Sequence, residues 1–172
     1  MNKKEEANAI VKESITIALF QMMRTQRFEH ITITELVKKA GVCRASFYRN
    51  YEDKEDIIYQ YMKGLMKQWR TEFEKHPYES MIESLMRHYY ENKDFYLMLY
   101  DSGMSNMILN HLMYECGPLP EQENETAYIH SWFACSIYGW VSEWLKRGVQ
   151  ESPETMAELY HQLTGNVMDK IR

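Results

Sequence analysis

Along residues 4–25, apolar side chains recur at Val11, Ile15, Ala18, Leu19 and Met22, the spacing of one face of an α-helix. A shorter apolar face follows at Ile33, Leu36, Val37 and Ala40. Thr32 precedes it with Glu35 three residues on, the reciprocal capping pair that opens a helix. Gly41 follows it and suits the left-handed conformation that closes one. Residues 44–50 predict a short third helix, with Phe47 and the nearby Tyr51 suited to packing on the first helix and Val42 to filling the turn. Asp53 is an N-cap for a helix that runs to about Lys75, ahead of Pro77. That helix has roughly 22 residues and a length of about 33 Å.

Beyond it, helices are predicted over about 78–91 and 92–102, the second closed by Gly103, and then to about Glu115, before Gly117, Pro118 and Pro120. A long helix over about 126–147 follows. Lys146 and Arg147 complement its negative end and Gly148 stops it. Ser152 as N-cap and Pro153 at the first helical position open a last helix, which is expected to reach the C-terminus. No alternating pattern of strand length occurs, and the few glycines and prolines fall at helix ends. The expected fold is all-α with about nine helices: a helix–turn–helix unit over 1–52 and a C-terminal helical bundle over 53–172.

Composition limits what this fold can do. Apolar residues make up 45% of the 172 residues, ample for a core. No apolar run approaches the roughly 18 residues of a membrane span. The charged N-terminus, MNKKEEANAIVKES, lacks a signal-peptide core, so a cytoplasmic protein with no membrane partner is expected. Net charge is −5, unevenly spread: residues 1–56 carry ten Lys and Arg against nine Asp and Glu, while residues 57–172 carry ten against sixteen. Nucleic-acid binding would therefore rest on placed contacts more than on bulk charge. Cys43, Cys116 and Cys135 show no paired spacing and are expected to be reduced thiols, with a redox role for Cys43 left open. Six scattered histidines have no ligand spacing, so no metal and no cofactor are expected. No phosphate loop and no hydrolase motif occurs, and an enzyme is not expected.

The third helix carries the most pointed chemistry. It has no acidic residue, yet it holds Arg44, Ser46, Tyr48, Arg49 and Asn50. A short basic helix held across a glycine turn is the shape that enters a DNA major groove. Arg44 and Asn50 suit base edges, and Ser46 and Tyr48 suit phosphates or edges. A merely solvated face would also explain them. Lys54, in the first turn of the next helix, opposes the helix dipole, which a bound phosphate would relieve.

These residues resemble the N-terminal domain of the TetR family of transcriptional regulators. The resemblance covers about residues 10–58: the T-x-x-E start, A-G-V at the turn, F-Y in the third helix, and an aromatic followed by x-x-K-E. It implies DNA contacts at Thr34, Arg44, Ala45, Ser46, Tyr48, Arg49, Asn50 and Lys54, with the capping Thr32 added to the candidate set. Cys43 in place of a capping serine, Arg27 in place of glycine, and Asn50 in place of a histidine or aromatic depart from the pattern. The stretch YIHSWFACSIYGWVSEWLKRGVQESPETMAEL is similar to the last two helices of short TetR-like regulators of Firmicutes type. The resemblance implies a homodimer on double-stranded DNA, most readily a repressor on a palindromic operator. A TetR-like module acting as a co-activator through a protein partner is the alternative.

Two further sets of candidates lie in the C-terminal part. Ile129, Trp132, Phe133, Ile137, Trp140 and Trp144 on the long helix, and Met156, Leu159, Leu163 and Val167 on the last, exceed what one small domain readily covers. Gly139 would allow close helix approach. A dimer interface through Phe133, Trp140, Trp144, Leu159 and Leu163 is expected. Eight methionines between Met62 and Met113, mixed with aromatics, suit either an ordinary core or an adaptable pocket for a small hydrophobic ligand. Met62, Met66, Trp69, Met86, Tyr89, Phe95 and Met107 are its candidate lining.

Overall fold

The computed structural model describes residues 2–76 and 80–165. Among the described residues there are nine α-helices and no strand, the all-helical fold that the periodicity predicts. They are α1 (Lys3–Met23), α2 (Ile33–Ala40), α3 (Arg44–Tyr48), α4 (Lys54–Phe73), α5 (Met81–Glu91), α6 (Lys93–Asp101), α7 (Asn106–Cys116), α8 (Asn124–Lys146) and α9 (Pro153–Thr164), with a 3-10 turn at Phe28–His30. The predicted start near Tyr78 and the reach of the last helix past Val167 fall outside the described residues. The chain divides into two compact units, Met1–Leu65 and Met66–Arg172, with the division falling inside α4.

In the first unit, local rules set the framework. The Thr32 hydroxyl accepts from the Glu35 amide at 3.2 Å, and the Glu35 carboxylate accepts from the Thr32 amide at 3.1 Å. Both orphan amides at the head of α2 are thereby satisfied. At its foot Gly41 takes φ +69°. Its amide and that of Val42 bond back to the carbonyls of Lys38 and Val37. A residue with a β-carbon is strained in that conformation, so the turn into α3 depends on glycine. Ile15, Leu19, Leu36, Phe47, Ile57 and Ile58 form a core with no exposed surface. Burial of one such side chain contributes about 1.5–3 kcal/mol.

The second unit packs α5 on α9 and both α6 and α7 on α8. Its core includes Met86, Tyr96, Leu99, Ile137 and Val141, all within 1% of full burial. Gly148 at φ +80° ends α8. The Ser152 hydroxyl accepts from the Thr155 amide at 3.2 Å to start α9, with Pro153 in the first turn as its missing N–H permits.

Candidate nucleic-acid interface

Phe47 is fully buried, which fixes how α3 lies on the first unit. Arg44, Ala45, Tyr48 and Arg49 are consequently exposed, and Ser46 is half-buried. Arg44 and Tyr48 stand one turn apart and meet. The guanidinium donates to the Tyr48 hydroxyl at 3.2 Å and lies 5.6 Å from its ring centre. That ring rests edge-on against Phe47, 5.2 Å between centroids. An exposed guanidinium steadied in this way is suited to an edge that offers paired acceptors. The Cys43 thiol is 3.2 Å from the Ser46 hydroxyl, which holds its pKa below the ordinary thiol value. Thr34 is exposed, while the Thr32 hydroxyl is committed to the cap.

Two more of the expected DNA contacts are engaged within the unit. Asn50 lies beyond the end of α3, and its side-chain amide faces inward. It donates to the Ser46 carbonyl at 2.9 Å and accepts from the Asn8 amide at 2.8 Å. Lys54 is half-buried; its ammonium donates to the Phe28 carbonyl at 2.8 Å and sits 4.5 Å from the Phe28 ring centre. Those two partners relieve a positive charge at the head of α4 without an external anion. Asp53 caps the same helix, accepting from the Asp56 amide at 2.7 Å.

The candidate ligand-lining residues divide between the units: Met62 lies in the first, the others in the second. Met66, Met86, Tyr89 and Phe95 are buried, and Trp69 and Met107 are half-buried. The Trp69 indole donates to Ser84 at 3.1 Å, and the Tyr89 and Tyr96 rings lie 4.6 Å apart. Sequence reasoning passed over the polar members of this cluster. His88 is buried with its Nε2 2.8 Å from the Tyr96 hydroxyl, and His111 is buried as well. Burial, together with the charge His111 would carry, pushes the His88 pKa down to about 4. Burial raises the Cys116 thiol to about 11. The available signal was position: both histidines sit on apolar helix faces beside Leu85 and Leu112.

The expected interface residues also fall into two groups. Phe133 and Trp144 point into the second unit's own core, at 4% and 2% exposure. Trp140 is half-buried and donates to the Met156 carbonyl at 3.2 Å. Leu159 and Leu163 remain exposed, at 40% and 74%, as do Tyr128 at 71% and Trp132 at 40%. Cys135 and Gly139 continue the exposed stripe of α8.

Comparison with known proteins joins these observations. Residues 76–166 match the TetR-type family model described as a transcriptional regulator C-terminal region. Over 67 residues the chain is 42% identical to an uncharacterized HTH-type transcriptional regulator of Bacillus subtilis, YxbF; the stretch is 37% of this chain and 17% of that protein. The chain thus spans less than a fifth of the curated relative it matches. Among solved structures, the dihydroxyacetone kinase operon activator DhaS is similar over 95% of this chain and 97% of its own, at 18% identity and a TM-score of 0.48. The family match covers more than half of the 172 residues, and the chain belongs to the TetR family of transcriptional regulators.

Proposed function

We propose that the protein is a sequence-specific, cytoplasmic DNA-binding repressor. It acts as a homodimer on a palindromic operator, with residues 1–52 reading DNA and residues 53–172 dimerising and receiving an effector. The observation that carries this reading is the exposed face of α3. Arg44, Ser46, Tyr48 and Arg49 surround the outward side of a helix whose inner side, Phe47, is fully buried. Arg44 and Tyr48 read base edges, Arg49 and Thr34 meet phosphates, and the Ala45 methyl permits close approach. Lys54 keeps donor capacity for one phosphate while holding Phe28.

Two-fold pairing follows from the exposed stripe of Tyr128, Trp132, Leu159 and Leu163. Its burial against a second copy makes a four-helix arrangement, and a dimer offers one reading helix to each half-site. A small hydrophobic effector that prefers one arrangement of the second unit lowers operator affinity by its differential affinity for the two states. The adaptable Met and aromatic core around Trp69, Met86 and Tyr89 is the proposed place for it.

Selection of bound duplexes from a random pool tests this function. A palindrome with half-site centres about one helical turn apart is expected. Recovery of unenriched sequence, together with stoichiometric capture of another protein, would replace it with the protein-partner reading.

A further inference from the structure

The polar groups at the corner of α1, α3 and α4 form one connected system. Asn8, Lys12 and Thr16 stand one turn apart on α1, so they share a face. Asn8 donates to Asn50 Oδ1 at 2.8 Å, Lys12 donates to Gln60 Oε1 at 2.7 Å, and Thr16 lies 3.3 Å from the Tyr51 hydroxyl. Gln60 of α4 donates to the Asn50 carbonyl at 3.1 Å and to Asp56 at 2.9 Å. Asn50 itself donates to the Ser46 carbonyl, one turn back on α3, at 2.9 Å. A backbone carbonyl only accepts, so the Asn50 nitrogen must face Ser46 and its oxygen must face Asn8. The amide therefore has one satisfied orientation, pointing away from the exposed face of α3.

We infer that Asn50 is a positioning residue for DNA reading and not a base contact. Its side chain ties the end of the reading helix to α1, and its main-chain carbonyl receives α4. Three helices are thus joined through one residue, and each tether restrains a different motion. The Asn8 bond opposes lift of α3 away from α1. The Ser46 bond closes the last turn of α3. The Gln60 bond couples α3 to the helix on which the two compact units divide. Arg44 and Tyr48 lie on this restrained helix, so its orientation sets where their donors meet a base edge. Pre-positioning of that kind lowers the ordering cost of binding without touching the ligand.

The inference rests on the DNA-reading function proposed above, and its test has one arm that does not. The variants are Asn8→Ala, Asn50→Ala and the pair together. Asn8 is half-exposed on a long helix, where alanine is a good helix former, so Asn8→Ala keeps the fold even if Asn50→Ala does not. In the free protein, both single variants are expected to speed hydrogen exchange of the α3 amides about tenfold while the Ile15–Leu19 amides stay protected. On a duplex selected by the wild type, each is expected to weaken binding about tenfold with the order of base preference unchanged, and the double variant to lose no more than the larger single loss. Wild-type exchange of α3 in Asn8→Ala overturns the inference, whatever the DNA result. So does an Asn50→Ala loss confined to one base pair with Asn8→Ala neutral. Failure to select any duplex would instead remove the DNA-reading function and leave the exchange arm to decide the positioning role.

Discussion

The two units handle polar chemistry in opposite directions. In the first, polar groups lie at the surface and corners, where Arg44 and Tyr48 face outward and the Asn8–Asn50–Gln60 system braces the helix beneath them. In the second, His88 meets Tyr96 inside the core and the partly buried pairs Ser84–Trp69 and Ser136–Tyr160 flank it, the latter at 2.8 Å, while apolar Trp132, Leu159 and Leu163 face outward. An outward polar face suits a charged, hydrated partner such as DNA. An outward apolar face suits another protein surface. The contrast agrees with the proposal that the first unit recognises DNA and the second pairs and responds.

The largest test of this contrast concerns which aromatic residues are core. Trp144→Ala should cost about 3–5 kcal/mol in urea unfolding, because it opens a cavity in a side-chain position that is 2% exposed. Leu159→Ser with Leu163→Ser should change monomer stability by only about 0.5 kcal/mol. In sedimentation, however, the double variant should be monomeric and the wild type dimeric. A dimer of undiminished affinity would move the interface elsewhere.

Next in size is the outward face of α3. Arg44→Ala should weaken binding to the selected duplex by about 1–3 kcal/mol and relax one base preference. Because Arg44 is exposed, its unfolding midpoint should stay at the wild-type value. Equal losses on all sequences would make Arg44 a phosphate contact.

The buried imidazole gives the second unit a pH dependence. The His88 pKa falls from 6.5 to about 4 on folding. Between those values the unfolded chain binds more protons, so stability is full above the upper value and falls as pH drops toward the lower. The expected loss is roughly 2 kcal/mol at pH 5 relative to neutral pH. His88→Gln should flatten that limb, measured as urea midpoints across pH. An unchanged slope would place the titrating group elsewhere.

The smallest effect belongs to Lys54. Lys54→Ala should reduce the salt dependence of DNA binding by about one unit of slope if its ammonium meets a phosphate. It should also cost about 1 kcal/mol of stability through the lost Phe28 carbonyl bond. A stability loss with an unchanged slope would leave Lys54 as a tether alone.

The same contrast explains what the sequence could reveal. The all-helical fold, the Thr32–Glu35 cap, the Gly41 turn and the Ser152–Pro153 start were readable because each depends on residues within one or two turns. Phe47 as the inner side of α3 was readable from periodicity. The destination of the Asn50 amide was not, because Asn8 lies 42 residues away along the chain. The nearest sequence signal was the one-turn spacing of Asn8, Lys12 and Thr16 along α1. On α8 the difficulty was of another kind. Aromatic residues occur on several of its faces, so composition alone could not separate Phe133 and Trp144, which fill the core, from Trp132, which is exposed.

The most direct test is the ratio of affinities for the selected duplex and for a scrambled duplex of equal length, titrated by fluorescence anisotropy at one fixed salt concentration. The wild type should prefer the selected duplex by about a thousandfold or more. Arg44→Ala should cut that ratio by about ten- to a hundredfold while binding the scrambled duplex nearly as before. Equal wild-type binding to both duplexes would contradict the claim that the exposed face of α3 reads sequence.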